Sequence, residues 1–457
     1  MKTLLFKKTL LFLCLFPFTS VWSQSHPLPV LPDTSLYGKY TSRTMHLLQS
    51  STPEHRNTVK ILVYGQSISA QNWWLAVKKY IEVKYPWANL IMENRAIGGF
   101  ASQLLSKTVE MDVSSFYPDL VLLHIYGSNE AYESVLKTIR SRTIAEIAIQ
   151  TDHYTGKDDW SDNMSYQILP ALATKYKCDI LNIRDPWKEY LKDNHLDSSK
   201  LLSDGVHLND FGNYLMAELV KPLFMYKSKY ASDPLMLKTV FIAGNEFKIT
   251  GKKLSFEFIG NRVDLILDSA VLGNTVQVLV DGKKPSDFQG TYYTSRPYNA
   301  NGSGWPWNLP SMIQVQHTAP WVNENWTLTY TDAKAPFENF KFEIQGSVTG
   351  KDGSGKSSED FNSPSGKIII KKGDADEGGD WHVNRSYKVL KTEVKPGDKI
   401  FWKTYSISAN NFITEGQTIT LFQGIPNTKH ILTLIMNGKS KIPVKEIIVY
   451  KPHVAGH

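Results

Sequence analysis

A serine, an aspartate and a histidine occur at spacings that suit nucleophilic catalysis. Ser67 lies in the stretch VYGQSISA, directly after the apolar run KILVY, whereas Asp204 and His207 lie together in SDGVHLNDFG. A serine attacks a carbonyl when a base accepts its proton and a third group orients that base. An Asp-x-x-His turn suits this task, because a carboxylate bonded to one ring nitrogen leaves the other nitrogen free to face a serine.

Two further segments offer hydrogen-bond donors for an oxyanion. NRAIGGFAS contains Gly99, where the backbone can approach a ligand closely and offer its N–H group. YGSNEAYE contains Asn129, whose side-chain amide is a second donor, and the backbone N–H of Ser67 is a third. Other interpretations remain open: Ser67 and Gly99 are also typical turn residues, and Asn129 is a typical cap of the helix that follows.

The elements around these residues predict an α/β domain over residues 58–228. Apolar runs such as KILVY, PDLVLLHIY and CDILNI alternate with helical stretches, which is typical of a parallel sheet covered by helices on both faces. Ligands of such sheets bind beyond the carboxyl ends of the strands, so we expect the four segments to meet at that edge.

Two residues after the fourth strand are candidates for substrate contact. Asp152 and His153 in QTDHYTG end at the same edge and could contact substrate, but the sequence favours a solvated loop. His124 lies in the middle of a predicted strand and is interpreted as a buried core histidine.

The four segments, in this order, resemble the SGNH (GDSL-type) hydrolase superfamily over residues 58–226. The resemblance implies a flavodoxin-like three-layer fold and ester hydrolysis without a cofactor. It also implies a role for each matching residue: Ser67 as nucleophile, Asp204 and His207 as orienting acid and base, and the N–H groups of Ser67 and Gly99 with the amide of Asn129 as oxyanion donors.

Two residues depart from the family pattern. Gln66 replaces the usual aspartate before the serine, a variant similar to carbohydrate-directed esterases of the sialate O-acetylesterase kind, and it is a further candidate for substrate binding. Phe100 stands where a polar residue often follows the glycine of the second segment.

The chain after Lys229 has the pattern of an all-β region. Short alternating segments such as KLSFEF, TVQVLV and KIFWK are separated by turn signals. We predict a jelly-roll-like sandwich from residues 235–288 and 415–455, with a second β module inserted at about 289–414. The string GKDGSGKS at 350–357 matches a phosphate-binding loop, but no helical pattern follows it, so we interpret it as a polar hairpin.

The N-terminus predicts secretion. Residues 1–23 contain lysines, then an apolar stretch, then small residues, which is the pattern of a cleaved signal peptide. Residues 24–57 form a lead-in segment. No later stretch predicts a membrane span. One cysteine, Cys178, remains after cleavage, and the formal charge of +7 includes three signal-peptide lysines, which leaves 7 − 3 = +4. This modest charge does not indicate a nucleic-acid partner, and no ligand motif predicts a metal site.

The sequence therefore predicts a secreted or periplasmic serine esterase that removes ester-linked acyl groups, O-acetyl above all, from a carbohydrate, with no cofactor. Two alternatives remain open: a lipid or thioester hydrolase of the same superfamily, and a non-catalytic glycan-binding protein that uses the fold as a scaffold.

Overall fold

The computed structural model describes residues 26–31, 33–35, 37–157, 159–268, 275–299, 310–413, 418–437 and 442–454. The predicted signal peptide lies outside these residues. Within the described ranges, no helix has the length and apolar character that a membrane crossing requires.

The first part of the chain forms a five-stranded parallel sheet. Its order is β2-β1-β3-β4-β5, which is the order of flavodoxin-like sheets. This confirms the predicted α/β class. The strands are β1 (Thr58–Gly65), β2 (Asn89–Asn94), β3 (Leu120–His124), β4 (Glu146–Gln150) and β5 (Asp179–Leu181).

Helices cover both faces of this sheet because successive strand residues point to opposite sides. Val59, Ile61 and Val63 of β1 belong to one apolar layer, whereas Leu62 and Tyr64 belong to the other. The helices are α1 (Ser42–Gln49), α2 (Ser67–Ala70), α3 (Trp73–Lys84), α4 (Ser102–Val109), α5 (Asn129–Arg142), α6 (Asp159–Asn163), α7 (Leu169–Tyr176), α8 (Arg184–Asp193), α9 (Asp210–Val220) and, in the later β region, α10 (Val383–Leu390). The first layer contains residues of α1, α3, α8 and α9, and the second contains residues of α4, α5 and α7.

The lead-in segment covers the edge of the sheet where the strands begin. Glu146, the first residue of β4, accepts hydrogen bonds from the backbone N–H groups of Arg43 and Thr44, both at 2.8 Å. Asp179, the first residue of β5, accepts one from the N–H of Gly38 at 2.9 Å. Burial raises the pKa of Glu146 to about 7. The candidate site lies at the opposite edge, where the strands end.

The remainder of the chain forms antiparallel β-sheets, as predicted. One six-stranded sheet has the order β18-β8-β19-β7-β20-β6, and another contains β10-β17-β12-β13-β14 with β9 paired to β17. A small third sheet has the order β11-β16-β15. The strands are β6 (Lys238–Ile242), β7 (Lys253–Leu267), β8 (Thr275–Val280), β9 (Tyr292–Thr294), β10 (Tyr298–Asn299), β11 (Gln316–His317), β12 (Glu324–Ala333), β13 (Phe340–Gly346), β14 (Gly350–Lys356), β15 (Phe361–Asn362), β16 (Ile368–Ile370), β17 (Lys399–Ser406), β18 (Asn411–Ile413), β19 (Thr418–Asn437) and β20 (Val444–Tyr450). The string GKDGSGKS thus lies in β14 and the residue after it.

The β region packs directly on the α/β domain. Ile313 and Ala375 belong to the same apolar cluster as α4 and α5. The amide of Gln423 donates to the carbonyl oxygen of Ser114 at 2.9 Å, and Asn261 accepts from the Tyr117 hydroxyl at 3.1 Å. The two parts therefore share apolar and polar contacts.

Candidate active site

Ser67 lies at the turn between β1 and the short helix α2. Gly65, the last residue of β1, lies so close to β3 that a Cβ atom there would be 1.9 Å from the carbonyl oxygen of His124. Gln66 caps α2, since its side-chain oxygen accepts from the backbone N–H of Ile68 at 3.0 Å. This turn places Ser67 at the carboxyl end of β1, where it lines an open cavity.

The structure brings the three predicted catalytic residues together. His207 Nε2 lies 2.9 Å from Ser67 Oγ, and His207 Nδ1 lies 2.8 Å from Asp204 Oδ2. Backbone N–H groups of His207 and Val206 both donate to Asp204 Oδ1 at 2.7 Å. The hydrogen bonds from the His207 backbone, the His207 ring and the Val206 backbone lower the pKa of Asp204 to about 2. An ionised carboxylate only accepts, so the ring hydrogen is on Nδ1 and Nε2 is the acceptor that faces the serine.

Neighbouring side chains hold the loop that carries His207. The buried ring of His153 donates from Nε2 to the carbonyl oxygen of Val206 at 2.9 Å. On the far side of His207, the amide of Gln71 donates to the carbonyl oxygen of Leu208 at 2.7 Å and accepts from its N–H at 2.9 Å. His153 is thus buried rather than solvated, and burial lowers its pKa to about 4, which keeps the ring neutral at ordinary pH.

A second chain of hydrogen bonds runs from the nucleophile into the sheet. The Ser67 hydroxyl lies 2.9 Å from Gln66 Oε1, Gln66 Nε2 lies 3.2 Å from His124 Nδ1, and His124 Nε2 lies 2.6 Å from Asp152 Oδ1. Burial by itself would raise the pKa of Asp152, but the hydrogen bond with His124 and nearby positive charge outweigh it, and the pKa lies below its usual value. His124 is buried, as predicted, but its partners were not predicted, because they come from two other strand ends.

The turn that contains Gly99 lies beside the nucleophile. The N–H of Ile97 donates to the carbonyl oxygen of Gly65 at 2.9 Å, and the N–H of Phe100 donates to that of Ile97 at 3.2 Å. Gly99 is the third residue of this turn and has a φ of +77°, a conformation that favours glycine. Gly99 also lines the cavity, and its role as an oxyanion donor stays a prediction.

The β region contacts this same turn. Arg385 of α10 donates from Nη2 to the carbonyl oxygen of Gly99 at 3.2 Å. The buried ring of Phe100 meets the ring of His382 edge-on, with centroids 5.4 Å apart. The apolar residue at position 100 therefore fits a contact with the β region.

Asn129 is the first residue of α5, but it is not the cap. The hydroxyl of Ser128 caps this helix by accepting from the N–H of Ala131 at 3.2 Å. Asn129 is exposed and is not one of the residues that line the cavity, although the nearby Gly127 is. The capping interpretation of Asn129 is therefore wrong, and its role as an oxyanion donor stays a prediction.

The cavity around Ser67 has a volume of about 630 Å³. Gln66, Asp152 and His153 line it together with Ser67 and His207. Its outer wall includes two aromatic side chains, Trp160 and Tyr126, that are 44% and 37% exposed. Neither was singled out from the sequence, because a short helix and a strand end bring them to the site from distant positions.

One cluster in the described residues has the donor set of a metal site. Donor atoms of Asp374, Asp376 and His382 lie within 4.8 Å of one another. However, Arg385 pairs with Asp376, and the ammonium group of Lys107 binds the carbonyl oxygens of residues 378 and 379. These two positive charges oppose a divalent cation there.

The chain matches no protein-family model and no curated protein. Among solved structures, it is similar to a two-domain esterase active on acetylated mannans, crystallised with mannopentaose, which aligns over 92% of this chain and 96% of its own at 12% identity and a TM-score of 0.37. The acetyl xylan esterase AlAXEase aligns over 35% of this chain and 97% of its own, at 22% identity and a TM-score of 0.32. Axe2, an acetylxylan esterase from Geobacillus stearothermophilus, aligns over 37% and 96%, at 17% identity and a TM-score of 0.33. Scores this low do not establish a common fold, so the interpretation of the site depends on its own geometry.

Proposed function

We propose that this protein is a secreted serine esterase of the SGNH type that removes ester-linked acyl groups, acetyl above all, from a carbohydrate. The observation that supports it most is the hydrogen-bonded series Ser67–His207–Asp204, with distances of 2.9 and 2.8 Å, at the wall of an open cavity. Such a series is what a hydroxyl nucleophile requires in order to lose its proton as it attacks.

In the acylation half, the Ser67 oxygen bonds to the ester carbonyl carbon while its proton moves to His207 Nε2. The hydroxyl has two acceptors at 2.9 Å, Gln66 Oε1 and His207 Nε2, and only the second can keep the proton. Asp204 stabilises the imidazolium that results. The carbonyl oxygen becomes an oxyanion, for which the N–H groups of Ser67 and Gly99 and the amide of Asn129 are the proposed donors.

Acylation ends when His207 gives its proton to the sugar oxygen as the carbon–oxygen bond breaks, which releases the alcohol and leaves an acyl group on Ser67. In the deacylation half, water bonds to the acyl carbon while His207 accepts one of its protons. His207 then gives this proton to Ser67 Oγ as the bond between Oγ and the acyl carbon breaks, and the carboxylic acid departs. No step requires a metal or an organic cofactor.

The walls of the cavity support a carbohydrate as substrate. Trp160 and Tyr126 are large aromatic side chains with substantial exposure beside the nucleophile. An aromatic ring offers an apolar face and, in both residues, a polar edge, which suits the mixed surface of a pyranose. The acetyl group follows from the resemblance of Gln66-Ser67 to carbohydrate-directed acetylesterases.

The test is release of acid from acetylated polysaccharides by the wild type and by Ser67→Ala. Loss of the nucleophile should remove nearly all turnover, by a factor on the order of 10⁶. Ser69→Ala, in the same short helix but outside the catalytic series, is the matched control and should keep most of the activity. Retention of a few per cent of turnover in purified Ser67→Ala would refute the assignment. A preference for long-chain acyl esters over acetyl esters would instead support the lipase alternative.

A further inference from the structure

A second cavity lies apart from Ser67, between the α/β domain and the β region. Its volume is about 870 Å³, within the range of about 300–1,000 Å³ that is usual for ligand sites. One wall comes from the sheet of β10, β17 and β12, and the other comes from β1, the end of β2 and residues 111–116. We call this space the basic cleft, for the four basic side chains that line it: Lys60, Arg95, Arg296 and Lys403.

The sheet wall has a row of aromatic side chains. Residues 401, 403 and 405 of β17 point to one face because side chains alternate along a strand. Phe401 and Tyr405 are therefore neighbours of Lys403 on the cleft side. Tyr298 of β10 pairs with Phe401, with ring centroids 5.7 Å apart, and is 52% exposed. This face is flat, aromatic and accessible.

Positive charge exceeds negative charge around the cleft. Arg95 pairs with Glu93 at 2.8 Å, and Arg296 pairs with the buried carboxylate of Asp112. Among the described residues, neither Lys60 nor Lys403 forms an ion pair with a carboxylate. The ammonium group of Lys60 donates to the carbonyl oxygen of Phe116, which leaves its other hydrogens for a ligand. Burial, followed by the charge of Arg262, lowers the pKa of Lys60 to about 8.

Asp112 belongs to the packing of the wall and not to the surface that a ligand can reach. Its side chain is 1% exposed, and its Oδ1 accepts from Arg296. Its charge therefore compensates Arg296, whereas Lys60 and Lys403 have no carboxylate partner among the described residues.

We propose that the basic cleft binds an oligosaccharide that carries carboxylate groups, such as a chain containing uronic acids. The aromatic face of Tyr298, Phe401 and Tyr405 stacks against pyranose rings. Lys60 and Lys403 pair with the carboxylates from opposite walls. Arg95 lies four residues before Gly99, so the cleft borders the strand end that leads to the oxyanion turn.

The experiment measures binding to the full mature chain with Ser67→Ala, so that neither ester hydrolysis nor failure of the proposed function affects the result. The probes are trigalacturonic acid and its fully methyl-esterified form, in which a methyl group removes the charge of each carboxylate. Isothermal titration calorimetry is run at about 50 mM and 500 mM salt. We expect the acid to bind and the methyl ester to bind at least about tenfold more weakly, with affinity for the acid falling at high salt.

Two variants locate the site. Tyr298→Ala and Lys403→Met, both at exposed positions, should each weaken binding of the acid about threefold to tenfold. Lys351→Met is the control, because it removes the same charge from an exposed position on β14 of the same sheet, outside the cleft.

Binding of the acid that depends on Tyr298 and Lys403 but not on Lys351 would support the proposal. Three outcomes would overturn it: no binding of the acid, equal affinity for the acid and its methyl ester, or equal weakening by Lys403→Met and Lys351→Met.

Discussion

The geometry around Asp204 predicts that asparagine is a worse replacement than alanine. Oδ1 of Asp204 accepts two backbone N–H groups, and Oδ2 accepts the ring N–H of His207. In Asp204→Asn, the amide oxygen should stay with the two backbone donors. The new NH₂ group then faces His207 Nδ1, which can only accept from it. The ring hydrogen moves to Nε2, where it blocks the proton that Ser67 has to release.

The size of the effect follows from the cost of turning the amide round. The productive orientation breaks two backbone hydrogen bonds, each worth about 1 kcal/mol net, so it is disfavoured by about 2 kcal/mol, or about 30-fold. Loss of the negative charge that stabilises the imidazolium adds to this, and a wrong tautomer with that loss costs up to about 10⁴ in kcat. We expect Asp204→Asn to lower kcat at least about 30-fold.

Asp204→Ala is the matched comparison. The side chain of His207 is 41% exposed, so water can accept its Nδ1 hydrogen and the ring can still adopt the reactive tautomer. Alanine should therefore retain more activity than asparagine.

The assay is kcat on an aryl acetate, with circular dichroism as the check on folding and ¹⁵N chemical shifts of the His207 ring as a direct measure of the tautomer. An asparagine variant faster than the alanine variant, or within about threefold of wild type, would show that the backbone donors do not fix the amide.

The remaining predictions concern the oxyanion donors and the cavity wall. Asn129→Ala should lower kcat about 10²–10³-fold with little change in thermal stability. Ser128→Ala, which removes the helix cap, should lower the unfolding free energy by about 1 kcal/mol. The reverse pattern would contradict both assignments. Arg385→Met should lower kcat about threefold to tenfold without raising KM, because it loosens the turn of Gly99 and touches no substrate; a change in KM alone would argue against this. Trp160→Ala should raise KM for an acetylated oligosaccharide about tenfold and leave an aryl acetate nearly unchanged; equal effects on both esters would contradict a stacking role.

The sequence predicted those parts of the molecule that depend on local order. Alternating apolar strands and helices indicated the α/β class because each strand of a parallel sheet must bury both faces. The Asp-x-x-His spacing predicted the contact between Asp204 and His207. Two side chains three residues apart in a turn can lie close enough for the carboxylate to bond to the imidazole. The pairing of that imidazole with Ser67 also followed, since both segments are at the carboxyl ends of the sheet.

The sequence did not predict the contacts between segments that are far apart along the chain. Nothing near His124 indicates that Gln66 and Asp152 flank its ring, because the three residues come from different strand ends. The capping role assigned to Asn129 illustrates a smaller error. Ser128 and Asn129 are both good cap residues, and a shift of one position in the helix start decides between them.

The interdependence of the two parts also explains a residue that looks anomalous on its own. Every proposed catalytic residue lies between positions 67 and 207, which suggests a catalytic domain that is independent of the β region. Yet Phe100 follows Gly99 and packs against His382, and Arg385 binds the carbonyl oxygen of Gly99 itself. A polar residue at position 100 suits a turn that faces water, whereas this turn faces another part of the same chain. The β region is thus part of the support of the turn that contains Gly99, and a site defined by its proposed catalytic residues alone would omit these contacts.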